Sequence, residues 1–390
     1  MEKLNEDFII NLSNNKNEPV WMKNFRLNSY KKFLELDNPS FGPKINIDFD
    51  NLVYHKGLFA PPSCSWENVD KKVKNTFNDL GVIEAENKYL KGVSNQYESE
   101  VVYHKMEESD GIIFLSSDEA LKKYPELFEK YFNNLVKYDE NKYTALNGAL
   151  WSGGSFIYIP PYTKVDRPLQ SYFRIDTKNL GQFERTIIIV DHDSSLHYIE
   201  GCTAKNYSTT SLHAGVVEIY VGKNSTCKYS TIQNWSKDVY NLVTKRAILE
   251  EGAYMQWVDG NIGSGVTMKY PSCILRGDNS KASSISIAYA KEGQHLDAGA
   301  KMIHLGKNTK STIISKSIAG FGGASDYRGT VKIAKEATGS FATIKCDNII
   351  LDSISSSNTY PKNIVENNES TLEHEATISK INEEKLNYLM

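Results

Sequence analysis

The chain has 390 residues, with 45 Lys and Arg against 48 Asp and Glu, enough for one large or two modest globular domains. So even a charge balance excludes the basic footprint that grips nucleic acid. No segment is long and apolar enough to span a membrane, and the acidic start, Met-Glu-Lys-Leu-Asn-Glu-Asp-Phe, has no signal-peptide core. The five cysteines (64, 202, 227, 273 and 346) are scattered and odd in number, and in an unexported chain read as reduced thiols.

Residues 1–150 read as a mixed, mainly helical region. Apolar spacing predicts a helix from Trp21 to Leu36. Ser117-Asp118-Glu119 opens a second helix, with Leu121, Tyr124, Leu127, Phe128, Tyr131 and Phe132 at three-to-four spacing. Tyr143–Leu150 predicts one more short helix. From Trp151 to residue 365 the texture is β. Strands are predicted at Phe156–Ile159, Ser171–Ile175, Thr186–Val190, Val216–Val221, Lys228–Ile232, Ser284–Ala290 and Thr312–Ser315. The turns after them repeat about every 25–30 residues, around Asp193, Asn224, Gly252, Asn279 and Asn308. Long helical patterns between strands are missing, which argues against a βαβ sheet. A β-helix accounts for both facts; a β-sandwich is the alternative. Residues 366–390 read as the start of a C-terminal helical segment. Asn382-Glu383-Glu384-Lys385 resembles a cap with an acidic first turn, and Leu386, Leu389 and Met390 begin an apolar face. That face stops within its second turn, so the segment reads as cut in mid-element or docked on another body.

The chemistry-bearing residues cluster late. Cys346 and the run Glu373-His374-Glu375 offer a thiolate, an imidazole and carboxylates. That set suits zinc, iron or an iron–sulfur cluster better than magnesium or calcium. No CxxC or HExxH spacing accompanies it, so such a site is incomplete and is expected to be shared with a second chain. The plainer reading of Cys346 is a small buried hydrophobe. Cys202 follows Gly201 at a strand end and reads as a sulfur acceptor; Cys64, Cys227 and Cys273 read as structural. His192 and His197 lie five apart, on opposite faces of a strand, which disfavours a metal site. Gln233-Asn234-Trp235 and the run Asn241 to Ala247 are expected on neighbouring strands. Lys245 within the latter is a surface charge if it faces out, and needs a partner or a depressed pKa if it faces in. No Walker A or G-x-S-x-G pattern occurs, so the chain is not expected to hydrolyse nucleotide and reads as a non-enzyme.

Several long runs resemble the SufB/SufD family of iron–sulfur cluster assembly scaffolds. They are Gln96-Tyr97-Glu98-Ser99-Glu100-Val101-Val102-Tyr103-His104, Leu150-Trp151-Ser152-Gly153-Gly154-Ser155-Phe156, Pro168 to Ile175, Gly181 to Thr186, Gly201 to Ala204, Gly329 to Lys332, and Glu373 to Ile381. They occur in family order over roughly residues 15–390, and Glu98 to His104 is closer to SufB-type than SufD-type members. The resemblance implies a mainly β fold with a right-handed parallel β-helix core. It implies a scaffold that pairs with a SufD-type paralogue, or with itself, and with two SufC-type ATPases. It assigns Cys346, His374 and Glu375 to assembly of a transient cluster, of the four-iron, four-sulfide type, at a subunit interface. A β-helix has open ends and sheet edges that need cover, so pairing is expected through the coils near Thr330–Ile350. It assigns Cys202 to sulfur entry from a cysteine desulfurase with SufE or SufU, and Gln233, Trp235 and Lys245 to the sulfur path. Reduced flavin is linked to the family complex as an electron source, although no flavin motif is present. Family members continue beyond residue 390 into the segment that docks the ATPase. The short Trp235–Asn241 loop is of the form found in Gram-positive, archaeal and plastid members, so the location implied is cytoplasmic or within a plastid-type organelle. Two other functions compete: a β-helix carbohydrate-active enzyme, and a structural SufD-like partner without cluster chemistry.

Overall fold

The computed structural model describes residues 3–107, 111–206, 209–380 and 388. Through the core the long strands alternate between two sheets, and the chain winds as a β-solenoid of about eight turns behind an N-terminal α/β region. A ten-stranded sheet holds, in spatial order, Leu169–Ile175, Ser195–Ala204, Thr226–Trp235, Tyr254–Gly263, Lys281–Ala290, Lys310–Ala319, Phe341–Ile350 and Thr371–Lys380. Each pairs in parallel with the next. The facing sheet stacks Ser155–Ile159, Arg185–Val190, Val216–Val221, Val239–Leu249, His295–His304, Ala324–Ile333 and Ser356–Val365. One coil of it is broken into Val266–Lys269 and Ser272–Leu275, because Pro271 between them has no N–H for the ladder.

All seven predicted strands fall on observed ones. The turn repeat also has a backbone cause. Asp193, Asn224, Gly252, Asn279 and Asn308, one per coil, all have positive φ. Asn and Asp tolerate that region better than other residues with a Cβ. At Gly252 a Cβ would also lie 2.6 Å from Asn224 Oδ1 of the coil before. Inside, Leu196, Tyr198, Cys227, Tyr229, Met255 and Trp257 of the ten-stranded sheet pack against Val217, Ile219, Ala247 and Leu249 of the facing sheet. Side chains alternate in and out along every strand, so each coil stacks its apolar set on the next.

The ten-stranded sheet extends past both textural breaks, at 150 and 365. Gly92–Tyr97 pairs in parallel with Leu169–Ile175 and forms a hairpin with Glu100–Met106. Thr371–Lys380 lies in register on Phe341–Ile350. Its inner set is Leu372, His374, Ala376 and Ile378; the charges Glu373 and Glu375 between them disguise a strand as a polar tail. The helix start expected at Asn382–Lys385, with Leu386, Leu389 and Met390, lies outside the described residues.

Two predicted N-terminal helices form as Val20–Glu35 and Lys142–Leu150, and they pack on each other. The second predicted helix is instead two, Ser117–Lys123 and Pro125–Tyr131. Pro125 disfavours the helical region for the residue before it, and Tyr124 sits at φ −134, ψ 55. The N-terminal layer is bolted to the solenoid by a buried ion pair. Arg185 Nη2 donates to Glu218 Oε2 at 2.8 Å, with both side chains fully buried. Glu218 also accepts the backbone N–H groups of Asn133, Leu135 and Val136.

Candidate functional site

The solenoid interior is not uniformly apolar. Strand register places Ser171, Glu200, Thr231, Asp259, Ser286, Ser315, Cys346 and Ala376 in one inward-facing column down the ten-stranded sheet. Beside it runs a column containing Cys202, Gln233, Asn261, Ala288, Ser317 and Asn348. From the facing sheet, Lys245 and Lys269 point into this space. Lys245 Nζ lies 3.1 Å from Glu200 Oε1 and 3.0 Å from Thr231 Oγ1. Lys269 Nζ lies 2.8 Å from Asp259 Oδ1 and 3.1 Å from Gln233 Oε1.

Burial by itself raises a carboxyl and lowers an amine. For Glu200 it is outweighed by Lys245 and by the Tyr229 hydroxyl, which hold the carboxyl below its ordinary value. Asp259 is likewise held down, against burial, by Lys269 and then Lys245. Burial also depresses Lys245, but Glu200 and Asp259 more than restore it, so it is raised overall. The inward orientation that the sequence leaves open is therefore met by a partner and not by a depressed pKa. Lys269 is held below its ordinary value by burial, with Asp259 opposing. Burial lowers His213 to about 4 and leaves it neutral.

Cys202 is buried in this network. Its Sγ donates to Glu200 Oε1 at 3.7 Å, and burial, then the Glu200 charge, push the thiol well up. Gln233 and Trp235 sit on the adjacent strand, facing the same interior. The run from Asn241 is not on a neighbouring strand, as its proximity in sequence suggests. It lies across the interior, where Asn241 Nδ2 donates to Gln233 Oε1 at 2.9 Å, because successive strands of a solenoid alternate between sheets.

Glu184 adds a pH signature. Burial, then the Glu200 charge, push its carboxyl up to about 8 from an ordinary 4.5. Between those values the folded chain holds a proton that the unfolded chain has lost. The stability this group supports is complete below the lower value and is lost as pH rises through the upper one. Glu184→Gln is expected to flatten the fall in melting temperature between about pH 5 and 8; an unchanged slope would exclude Glu184 as its source.

The last coils hold the second cluster. Cys346 is fully buried, beside the Tyr327 hydroxyl of the facing sheet, and burial pushes its thiol up to about 11. His374 is the register partner of Ile344, two residues from the Cys346–Ala376 pair, so His374 and Cys346 share the inner face of neighbouring strands. Asn363 Nδ2 lies 3.1 Å from His374 Nδ1, while His374 Nε2 is buried with no partner among the described residues. Burial lowers the imidazole pKa, which favours the neutral, ligating form. Glu375 projects from the opposite face, 3.5 Å from Lys345, and both side chains are more than half exposed. Asn363, and not either flanking carboxylate, therefore orients His374, because strand alternation sends Glu373 and Glu375 outward.

The remaining candidates stay apart. His192 pairs with Asp193 in a turn, and His197 bonds Ser230 on the outer face. Cys227 and Cys273 are buried, as a structural role requires, but Cys64 is exposed. Among the described residues no three His, Cys, Asp or Glu side chains converge as a metal site, and no helix is long and apolar enough to cross a membrane. Glu200, Asp259, Lys269, Tyr327 and Asn363 were not singled out by sequence. Lys269, in Val266-Thr267-Met268-Lys269, carries the same signal as Lys245, a lysine among β-strand residues.

Two buried ion pairs lie inside the β-solenoid near Cys202, and a second buried thiol, Cys346, lies in the last described coils. Comparison with known proteins gives the family. Residues 173–390 match the model described as SUF system FeS cluster assembly, SufBD core domain, and residues 68–171 match the SufBD protein N-terminal region. The chain is 53% identical over 391 aligned positions to iron–sulfur cluster assembly SufBD family proteins of Staphylococcus aureus (strains MRSA252 and USA300) and Staphylococcus saprophyticus, covering 99% of this chain and 84% of each relative. This chain belongs to the SufBD family of iron–sulfur cluster assembly proteins.

Proposed function

We propose that the chain is a SufB-type scaffold subunit that accepts sulfur at Cys202 and holds a nascent iron–sulfur cluster, its cargo, at Cys346 and His374. The observation that carries the reading is the pairing of Cys346 with a His374 whose Nε2 is buried and unpartnered. Thiolate is the preferred iron–sulfur ligand, and imidazole is an established substitute. Two ligands from one chain are too few, so a SufD-type paralogue or a second copy supplies the rest. The terminal coil suits such a contact. Val365 and Ile378 are 42% and 50% exposed, whereas their register partners Ile333 and Asn348 are buried. Glu375, on the outer face, takes part only if the partner strand wraps that edge. Sulfur comes from a cysteine desulfurase with a SufE or SufU donor and moves along the interior past Gln233, Trp235 and Lys245. ATP hydrolysis belongs to a SufC-type partner, and reduced flavin to the full complex.

Anaerobic reconstitution with iron, sulfide and thiol, followed by visible absorption, tests the reading. Cys346→Ala and His374→Ala are each expected to weaken cluster retention by more than about tenfold, since losing even an outer partner of a ligand costs that much. Asn363→Ala, which frees the imidazole, should cost about tenfold, and Glu375→Gln less. Equal retention by wild type and Cys346→Ala would return Cys346 to a core cysteine.

A further inference from the structure

Among the described residues, two buried N–H donors on the strand beside Cys202 have no hydrogen-bond partner. Gln233 is the register partner of Cys202 on the next strand, and Trp235 lies two residues further along the same inner face. Both side chains are almost completely buried, at 1% and 2% exposure. Gln233 Nε2 and Trp235 Nε1 nevertheless have no partner. The orientation of the Gln233 amide is set. Its Oε1 accepts from Asn241 Nδ2 at 2.9 Å and from Lys269 Nζ at 3.1 Å. Turning the amide over would set its N–H groups against two donors, so the network itself fixes which end is free. Glu200, the acceptor for the Cys202 thiol, lies two residues back along the strand, in the direction opposite to Trp235. By register, the Glu200 acceptor lies on one side of Cys202 along its own strand, while Gln233 lies beside Cys202 on the next strand and Trp235 two residues further in the other direction. Leaving buried N–H groups unpaired is costly, and such pairs of donors recur where an anion is to be held.

We infer that the Gln233 amide and the Trp235 indole form an anion cradle for the outer sulfur of a persulfide on Cys202, with Lys269 and Asn241 as the positioning residues that turn the Gln233 N–H groups toward it. The inference rests on the reading of Cys202 as sulfur acceptor. The loading step is Cys202–SH + R–S–SH → Cys202–S–SH + R–SH. A bond forms between Cys202 Sγ and the outer sulfur of the donor, and the donor's S–S bond breaks. The bonding pair stays on the departing sulfur. That sulfur takes up the proton that leaves Cys202 by way of Glu200, and nothing is oxidised or reduced overall. The new outer sulfur ionises more readily than a thiol and is the anion that the two N–H groups receive. An ionised persulfide resists attack by a second thiol, so the cradle retains the sulfur until a partner group draws it onward. Lys269 is itself held by Asp259, which gives this second interior ion pair a role at the acceptor cysteine.

The test loads the full chain anaerobically with cysteine persulfide, removes the donor and chases with a thiol, reading the extra sulfur on the Cys202 peptide by mass spectrometry. Gln233→Leu and Trp235→Phe are each expected to load and then lose sulfur about tenfold faster than wild type, the scale of one hydrogen bond to a charged group. Asp259→Leu/Lys269→Met removes both charges together, so no lone buried ion threatens the fold. It should match Gln233→Leu although neither residue touches the sulfur. Added to Gln233→Leu, the same pair should accelerate loss no further, an outcome that a merely structural role would not produce. Wild-type loss rates in Gln233→Leu and Trp235→Phe would overturn the cradle, and additive effects would overturn the positioning role. If wild-type Cys202 takes up no sulfur at all, the underlying reading of Cys202 fails instead.

Discussion

Replacing Arg185 with Met is expected to destabilise the fold by about 3–5 kcal/mol, the largest stability effect foreseen for a single site. The cause lies in the charge left behind. Glu218 is fully buried and keeps three backbone N–H donors, from Asn133, Leu135 and Val136, but loses the guanidinium paired with it. Arg185 also stacks 4.3 Å from the Phe132 ring centroid and reaches Asn147 Oδ1 and the Val136 carbonyl. Those contacts join the solenoid strand Arg185–Val190 to residues 132–147. Loss of the pair should therefore release the N-terminal layer before the coils unfold, since each coil leans mainly on its neighbours. Urea unfolding with limited proteolysis checks this. Glu218→Leu on top of Arg185→Met should recover little, because three backbone donors are then orphaned. A loss below about 1 kcal/mol for Arg185→Met would mean that water reaches the site and screens the charge.

Cys202→Ser is expected to abolish sulfur loading from a desulfurase–donor pair while leaving reconstitution with free sulfide close to wild type. A serine hydroxyl cannot form a persulfide, and the substitution removes the delivery route without touching Cys346 or His374. Cys227→Ala is the control. Cys227 is equally buried, but it sits in an apolar cluster with no carboxylate to take its proton, and burial pushes its thiol up. It should load as wild type does, by labelled-sulfur transfer and peptide mapping. Normal cluster assembly by Cys202→Ser when sulfur comes only from the desulfurase would remove the acceptor role.

Much of the fold is legible in the chain because its signals are local. Strand alternation and Asn, Asp or Gly at positive φ recur once per coil, and no distant contact is needed to read them. Pro125 is an equally local signal, and the apolar spacing on both sides of it conceals the helix break. Thr371–Lys380 reads as polar because Glu373 and Glu375, on its outer face, alternate with the inner set of Leu372, His374, Ala376 and Ile378 and mask its period of two. At the site, residue types are legible and orientations are not. Cys346 and His374 stand out as soft ligands, yet only register shows that they share a face and that Glu375 does not.

The sequence by itself determines the β texture, the repeat and, through its long matching runs, the SufBD family. Each depends on residue identity and short-range spacing, which folding does not alter. The tertiary structure alone decides which polar residues meet. Glu200 and Lys245 are 45 positions apart in the chain and 3.1 Å apart in space, and Asn363 reaches His374 across the final coil. A solenoid aligns residues one coil apart, so a single slip in register would send every such side chain to solvent. The partners of Lys245, the idle donors beside Cys202 and the outward turn of Glu375 are therefore properties of the stacked coils, set by hydrogen-bonded strand register that no short stretch of sequence contains.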